Sequence, residues 1–406
     1  MILRNASLFS QLLSMIPRAE FDLLVARHRA DAGSKGFSSW EQFVAMLFCQ
    51  LAQALSLREI VMGLASALGK LVHLGVRRAP KRSTLAYANA HRSHLLFADL
   101  FEAVFNRARA EAPGKKMRFR NPLYSLDSTV IDLCLAVFDW AHFRRRKGAV
   151  KLHLVLDHEG CLPCFAHITD GKRHEVKVAR RLSFPPGAVV VMDKAYNDYA
   201  LFNAWCEAGV YFVTRMKSNA IYEVLESLPA SPDKNILADE LIVLSGIRAP
   251  ERCAHVLRRV VVWDARNERE LVLLTNATQF AASTIGQIYK QRWQIELFFK
   301  ALKQNLRVKT FVGTSANALK IQIWTALLAI LLLKILRFRS TFAWSLSNLV
   351  AVLRLNLFTY RDLWKWIDDP FDTPPGTGEE QLQLDFPAPE LDSIPTPAGK
   401  MQPSPG

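Results

Sequence analysis

The hydrophobic pattern of the chain changes its period twice along its length. From Phe37 to about Phe105 apolar residues recur at helical spacing, and Ser39 followed by Gln42 resembles the capping box that begins a helix. Between residues 116 and 276 short apolar runs with strand-like spacing take over. A helical period then returns. The pattern predicts a helical region, an α/β region and a second helical region.

Five strand-like runs and two helical segments alternate in the first part of the α/β region. Their order is strand, strand, strand, helix, strand, helix, strand. Further β-rich runs follow from about Ser218 to Asn276 and predict an insertion within the α/β domain. The five strand-like runs are LYSLDSTVIDLCL, VKLHLVLD, LPCFAHIT, AVVVMD and VYFVTRMK, and the helical segments are HEVKVARRL and YALFNAWCEAG.

A basic break, RRAPKRSTLAYANAHR, interrupts the N-terminal helical region. Pro80 ends one element, and Ser83 is placed to cap a short helix that carries Asn89, His91 and Arg92. This arrangement is typical of a helix-turn-helix that enters a DNA groove. Because short helices after basic turns are also common in helical bundles, both interpretations stay open.

Composition narrows the choice of partner and compartment. The chain has 406 residues, half of them apolar, and a formal charge of +15, so a polyanion such as nucleic acid is the expected partner. The longest apolar stretch, Ile323 to Leu333, is too short to cross a bilayer and predicts a buried helix. No signal peptide is recognisable, and the six cysteines include only one CxxC pair. We therefore expect a reduced, cytoplasmic protein.

The predicted helix YKQRWQIELFFKALK carries four candidate functional side chains. Tyr289, Arg292, Glu296 and Lys303 fall within an arc of about 60° on one helical face. Such a face is typical of a phosphate site that contains an acid, and equally of a solvated charged surface. An apolar stripe for packing lies next to it and consists of Ile288, Ile295, Phe298, Phe299 and Leu302.

Three acids are placed where two-metal phosphoryl transfer would need carboxylates from different elements. Asp127 lies within the first predicted strand, Asp193 ends the strand VVVMD, and Glu296 is on the helix described above. An aspartate at a strand end is more often a turn former or a helix cap, so the case rests on all three together. Asp157, in LDHEG, is better explained by turn formation. Competing acids are Asp132, Asp170 and Asp198.

At these residues the chain resembles a known family, the bacterial DDE transposases of the insertion-sequence family four type. The match is carried by LDSTVIDLCL, by MDKAYNDY and by the helix with its Tyr-Arg-Glu-Lys signature, and FSSWEQFVAMLFCQLAQALSLREI resembles the helical domain that precedes the core in one branch. Departures are Ala195, where Gly is frequent, and Ala301, where an aromatic residue is frequent. Neither removes a charged group.

The resemblance implies an α/β fold with a ribonuclease-H-like catalytic core and a β-rich insertion. A helical DNA-binding domain at residues 1–115 precedes this core, which spans residues 116–335 with the insertion at about 218–276. Residues 336–368 form a C-terminal helical segment. The tail, residues 369–406, is rich in Pro, Gly and acids, and its composition predicts disorder.

The resemblance also assigns roles to the candidate site residues. It implies that Asp127, Asp193 and Glu296 are catalytic and bind two Mg²⁺ ions, with Mn²⁺ as an alternative. Tyr289, Arg292 and Lys303 would bind DNA phosphates near the cut. Related enzymes pass through a hairpin intermediate at the transposon end, which is carried over only as an implication.

A basic run, FRRRKGAVK, follows the first catalytic strand. It supplies Arg144, Lys147 and Lys151, together with Arg145 and Arg146, which we expect to contact the DNA backbone unless the cluster merely aids solubility. Histidines nearby, His153 and His174, are expected to be structural. Trp263, in the β-rich insertion, is expected to pack in a core, with stacking on a displaced base as the alternative.

Two functions from different classes are compatible with the sequence. The first is an active cut-and-paste DNA transposase that binds the terminal inverted repeats, works as a homodimer on transposon ends and target, and cleaves and joins strands. The second is a catalytically silent regulator or inhibitor derived from such an enzyme. Another ribonuclease-H-like nuclease is a minor third option. In the tail, Gln381 to Phe386 resembles the peptide that docks into the bacterial sliding clamp.

Overall fold

The protein is described by a computed structural model that covers residues 6–67, 69–114, 120–134, 138, 140, 142–144, 147–171, 175–229, 233–246 and 249–372. Several sequence predictions lie outside this part of the chain. They concern the tail with Gln381 to Phe386, Arg145, Arg146 and His174, and also the side chains of Arg144 and Lys147.

Six helices form the N-terminal part. They are α1 (Leu8–Leu13), α2 (Arg18–Arg27), α3 (Ser39–Leu51), α4 (Leu57–Ala65), α5 (Arg82–His91) and α6 (Leu95–Ala110).

The capping box of α3 lies one residue before the predicted one. Ser38, rather than Ser39, is the N-cap, and its side chain and that of Glu41 each bind the other residue's backbone N–H. Gln42 is fully buried and donates to Asn89 Oδ1 at 2.8 Å instead of capping. Both spacings look alike in the sequence, and the burial of Gln42 decides between them.

Helix α5 contains the residues that the helix-turn-helix interpretation predicted to read a DNA groove. It packs within the N-terminal helical bundle. Lys81 stands at its N-cap without a side-chain hydrogen bond, so Ser83 does not cap it. Asn89 is 1% exposed, and Arg92 donates to the Phe37 carbonyl. The groove-reading interpretation is therefore wrong for Asn89 and Arg92, because both side chains are engaged inside the protein.

Ten strands form one mixed sheet. Their bounds are β1 (Leu123–Leu133), β2 (His142–Arg144), β3 (Lys147–Asp157), β4 (Leu162–Asp170), β5 (Val189–Met192), β6 (Tyr211–Arg215), β7 (Tyr222–Ser227), β8 (Ile236–Leu244), β9 (Leu257–Asp264) and β10 (Arg269–Thr275). The remaining helices are α7 (Glu175–Ala179), α8 (Tyr199–Glu207), α9 (Ala249–Arg252), α10 (Ala282–Gln291), α11 (Trp293–Asn305), α12 (Ala316–Arg339), α13 (Leu346–Asn356) and α14 (Leu363–Asp368).

The strand order is β2-β3-β1-β5-β6-β10-β9-β8-β7, with β4 also paired to β3. Strand β1 is antiparallel to β3 and parallel to β5, and β5 is parallel to β6. The predicted order of strands and helices is confirmed by β1, β3, β4, α7, β5, α8 and β6. The β-rich insertion continues the same sheet, because β10 pairs with β6 in antiparallel fashion.

Helices cover both faces of the central strands. Val190 and Met192 pack toward the cluster that contains α8, whereas Val189 and Val191 pack toward the cluster that contains α10. All four side chains are fully buried, which explains why β5 reads as a continuous apolar run rather than an alternating one.

Helix α12 is the central helix of the largest hydrophobic cluster. It contacts α3, α5 and α6, and thereby joins the N-terminal helices to those that follow the sheet. By length and composition it would be able to span a membrane, but 89% of its most apolar stretch is buried within the protein. The burial confirms the buried helix predicted from Ile323 to Leu333.

Three further side chains test the sequence predictions. His153 is fully buried with Nε2 3.0 Å from Thr169 Oγ1, which confirms a structural role. Asp157 Oδ1 accepts the backbone N–H of Glu159 at 2.9 Å, which confirms turn formation. Trp263 is 38% exposed at the end of β9, so core packing is wrong for it, and stacking on a base stays a prediction.

Candidate active site

The first two predicted acids lie side by side at the carboxyl edge of the parallel strands. Leu126 of β1 is paired with Met192 of β5, so Asp127 and Asp193, the next residue of each chain segment, are neighbours across the pair. Adjacent strands are about 4.8 Å apart, which brings the two carboxylates into one small region. Asp193 also accepts the backbone N–H of Ala195 and so caps the short 3₁₀ turn that follows.

The third acid is delivered by the packing of α11. Ile295, Phe299 and Leu302 of this helix are buried in the same cluster as Ile131 of β1. Glu296 lies next to that apolar stripe and is only partly buried. The stripe therefore fixes α11 against β1, and Glu296 comes close enough to Asp127 for its charge to affect the Asp127 titration.

Burial raises the pKa of Asp127 to about 6. The backbone N–H of Ser128 and the Arg292 guanidinium lower this pKa, whereas the charges of Asp193 and Glu296 raise it. A carboxylate in this environment is stabilised by any cation that approaches. The three acids thus form a coupled negative site, as the two-metal hypothesis requires.

Two arginines neutralise this site in the structure. Arg292 Nη1 lies 2.7 Å from Glu296 Oε1 and 3.9 Å from Asp127 Oδ2, so one guanidinium bridges both acids. Arg215 Nη2 lies 3.2 Å from Asp193 Oδ2. Sequence reasoning missed Arg215. The signal is the register, because Met192 pairs with Thr214 and the next residues, Asp193 and Arg215, are again neighbours.

The helix predicted to carry the Tyr-Arg-Glu-Lys signature is interrupted at Arg292, and the prediction of one continuous helix is wrong there. Helix α10 ends at Gln291, and α11 begins at Trp293. The N–H of Arg292 bonds to the carbonyl of Tyr289 at 3.1 Å, and that of Ile295 bonds to Arg292 at 3.3 Å, both three residues back. Arg292 itself keeps helical dihedrals, so the two helices continue in nearly the same direction.

Tyr289 and Arg292 remain together despite this junction. The Arg292 guanidinium lies 5.7 Å from the centre of the Tyr289 ring, within the range of a cation–π contact. Burial raises the pKa of Tyr289, so its hydroxyl keeps its proton at neutral pH and can donate a hydrogen bond. The pair offers a guanidinium fork and one hydroxyl donor beside the acids.

Lys303 lies about two helical turns beyond Glu296 and is tied to β1. Its Nζ donates to Thr129 Oγ1 at 2.6 Å and to the Val130 carbonyl at 3.0 Å. Burial, followed by the charge of Lys309, lowers the pKa of Lys303. An ammonium group has three donors, so one N–H remains for a phosphate oxygen.

Lys151 of β3 forms an ion pair with Glu175 at the start of α7. Its Nζ lies 2.7 Å from Glu175 Oε1, and the residue is 9% exposed. The ammonium is held in a largely buried ion pair in this structure, and the contact of Lys151 with the DNA backbone stays a prediction. Burial, the largest single effect, raises the pKa of Glu175, but the hydrogen bond from Lys151, a backbone hydrogen bond and the charges of Lys151 and His153 together lower it.

The competing acids have other uses or positions. Asp198 caps α8 through the N–H of Leu201 at 2.9 Å and pairs with Arg180 at 2.7 Å. Asp132 and Asp170 are exposed at the far ends of β1 and β4.

The donor chemistry of the site fits a divalent ion. Asp127, Asp193 and Glu296 supply the hard oxygen ligands that Mg²⁺ prefers, and the charges of Asp193 and Glu296 act on the partly buried Asp127 in a way that a bound cation would relieve. Within the described ranges, no three Asp, Glu, His or Cys side chains are arranged as a metal-binding group. In this structure the Arg292 guanidinium bridges Glu296 and Asp127.

Comparison with known proteins places this geometry in a family. Residues 118–332 match the family described as the transposase DDE domain, which is more than half of the chain. The chain belongs to the DDE transposase family. It is therefore a bacterial insertion-sequence transposase, an enzyme that cleaves and joins DNA. Residues 4–77 of this transposase match a second family, described as a domain of unknown function.

Two sequence relatives agree with the family. The transposase is 32% identical over 260 residues to the putative transposase y4zB of Sinorhizobium fredii, covering 63% of this chain and 72% of that protein. It is 32% identical over 223 residues to the probable transposase for insertion sequence element IS5377 of Geobacillus stearothermophilus, covering 54% and 58% respectively. A piggyBac transposase synaptic complex with hairpin DNA aligns with 87% of this chain at 10% identity and a TM-score of 0.42.

Proposed function

We propose that this transposase binds the terminal inverted repeats of its element and cuts the DNA with Asp127, Asp193 and Glu296. These three acids would hold two divalent ions, Mg²⁺ or alternatively Mn²⁺. The observation that carries the proposal is the register of β1 and β5, which makes Asp127 and Asp193 neighbours while α11 brings Glu296 to them.

The order of the strands supports a ribonuclease-H-like core. In that arrangement the first strand, the fourth strand and a late helix bring their acids together. Asp127 is in β1, Asp193 follows β5, which is the fourth strand when the three-residue strand β2 is left out, and Glu296 is in α11. The antiparallel strands β1, β3 and β4 followed by the parallel pair β5 and β6 agree with the same core.

The residues around the acids have complementary roles in the reaction. When bound, the ions would activate a water or a 3′-hydroxyl and stabilise the leaving oxygen. Arg292 and Arg215 lie at the acids and present guanidinium forks that match phosphate oxygens. The protonated Tyr289 hydroxyl and the third N–H of Lys303 add donors. These donors orient the phosphate at the site of cleavage.

Finer features of the transposase are part of the same proposal. We expect double-stranded DNA at the transposon ends and the target, a homodimer in the DNA complex, and action on the bacterial nucleoid. Arg144 and Lys147 would add backbone contacts, and Gln381 to Phe386 would bind the sliding clamp. The domain division at residues 115, 335 and 368 and a hairpin intermediate also belong to the proposal.

Incubation with DNA that carries the terminal repeats tests the proposal against a silent regulator. The wild type should bind in Ca²⁺ and cut in Mg²⁺, whereas Glu296→Gln should bind without cutting. Glu20→Gln, at an exposed position of α2, is the matched control and should cut normally. Binding by the wild type without metal-dependent cutting would establish the regulator instead.

A further inference from the structure

A cleft with a volume of about 740 Å³ lies between the N-terminal helices and the loop that joins α11 to α12. We call it the seam cleft. One wall comes from the start of α4 and from residues along the whole of α5, and the other comes from the loop and the start of α12. The seam cleft is defined by Arg58, Arg82, Ala86, Val312, Gly313 and Ser315.

The walls of the seam cleft are held firmly together. Arg307, in the loop after α11, donates through Nε to the carbonyl of Gln53 at 2.9 Å, just before α4. Gln322 of α12 is fully buried, and its side chain binds the loop through the N–H of Val312 and the carbonyl of Thr310. The cleft is therefore a fixed feature of the fold rather than a gap between independent bodies.

The rim of the seam cleft carries uncompensated positive charge. Arg58 and Arg82 line the cleft and are exposed, and neither has an acidic partner within the described part of the chain. The nearest acid in sequence, Glu59, accepts the N–H of Leu55 at 2.8 Å and so serves the start of α4. The turn before α5 exposes three further cations, Arg77, Arg78 and Lys81.

The seam cleft is also connected to the active site. Helix α11 runs from Glu296 past Lys303 to Asn305, which is about 14 Å of helix rise. The loop that follows contains Lys309, whose charge acts on Lys303, and then forms the wall of the cleft. The helix rise of about 14 Å corresponds to about four base pairs of DNA, at 3.4 Å per base pair.

We propose that the seam cleft binds the phosphate backbone of the DNA several base pairs away from the cleaved bond. This proposal rests on the proposed function and gives Arg58 a role within residues 4–77, the segment that matches a domain of unknown function. Arg58 and Arg82 contact phosphates as cations. Helix α5 has no side-chain cap, so the backbone N–H groups at its start are available to donate to a phosphate oxygen. The contacts fix the position of the DNA and carry no base readout.

Salt dependence of DNA binding tests the seam cleft. Binding of a duplex that carries the terminal repeat is measured in Ca²⁺ at several salt concentrations for the wild type and for the double variant Arg58→Gln/Arg82→Gln. Loss of two phosphate contacts should make the slope of log K against log[salt] shallower by about 1.8. Ala86→Glu, which adds a carboxylate to the cleft wall, should also weaken binding.

The matched control is Arg18→Gln/Arg27→Gln on α2, which removes the same charge at exposed positions outside the cleft. Its slope should equal that of the wild type. An unchanged slope for Arg58→Gln/Arg82→Gln would overturn the proposal, and so would an equal loss in the control. Reduced binding of a poly-glutamate peptide with an unchanged DNA slope would also overturn it and would assign the cleft to an acidic protein segment.

The two proposals can fail separately, because binding is measured in Ca²⁺ and cutting in Mg²⁺. If the double variant has a shallower slope but the wild type does not cut DNA, the catalytic proposal is refuted and the seam-cleft proposal stands. A wild type that cuts DNA, with an unchanged slope in the double variant, would refute the cleft alone.

Discussion

Replacement of Asp127 by asparagine should stabilise the folded protein in the absence of divalent ions while abolishing DNA cleavage. The folded protein raises the pKa of this carboxyl from 3.8 to about 6, mainly through burial. A raised carboxyl pKa means that the folded state binds the proton more tightly than the unfolded state does. Stability contributed by this group is therefore present at low pH and is lost as pH rises through 6.

The expected gain in stability of Asp127→Asn follows from the pKa shift of Asp127. About two pKa units at about 1.36 kcal/mol each amount to a cost of up to about 3 kcal/mol for the ionised Asp127 at neutral pH. Asparagine keeps the oxygen that accepts the Ser128 N–H and carries no charge, so Asp127→Asn should recover most of this cost at pH 7.5. Below about pH 4 the wild-type carboxyl is protonated in both states, and the gain should vanish.

Urea unfolding without divalent ions at several pH values measures this difference. Asp132→Asn, an exposed position on the same strand, is the matched control and should change the free energy of unfolding by less than about 0.5 kcal/mol. Added Mg²⁺ should stabilise the wild type and not Asp127→Asn. Equal stability of Asp127→Asn and the wild type at pH 7.5 would refute the claim that ionised Asp127 destabilises the folded protein.

Three other substitutions test separate parts of the structure. Lys151→Met should lower the free energy of unfolding by about 2 kcal/mol, because it leaves Glu175 without its cation. The slope of log K for DNA binding against log[salt] should stay unchanged. A shallower slope would show that Lys151 contacts a DNA phosphate. Arg215→Gln should reduce single-turnover cleavage at saturating DNA by about 10-fold or more while binding in Ca²⁺ is largely kept, and an unaffected rate would limit Arg215 to a structural role. Leu328→Ala, fully buried in α12, should cost about 2–5 kcal/mol in urea unfolding, and a cost below that range would contradict the central position of α12.

The sequence was sufficient to predict the order of elements and to propose Asp127 and Asp193, which the strand register makes neighbours. Hydrophobic period separates helices from strands, and a carboxylate inside or at the end of an apolar strand stands out because its burial is costly. Asp127 and Asp193 were recognisable for that reason, and the family resemblance supplied the expectation that Glu296 joins them.

Features that depend on tertiary packing were not recognisable in the same way. Arg215 is one of many arginines until the register of β5 and β6 places it beside Asp193. Lys151 belongs by sequence to a basic run, but its position in the sheet turns it toward Glu175. Asn89 in α5 and Arg92 directly after it are residue types that groove-reading helices use, yet the packing of α5 in the bundle buries Asn89 against Gln42.

Cleavage of terminal-repeat DNA by wild type and Glu296→Gln, side by side with binding in Ca²⁺, tests the central claim most directly. The account predicts that both proteins bind the DNA with similar affinity and that only the wild type cuts it when Mg²⁺ replaces Ca²⁺. Cutting by Glu296→Gln at the wild-type rate would contradict the assignment of Glu296 to the catalytic site.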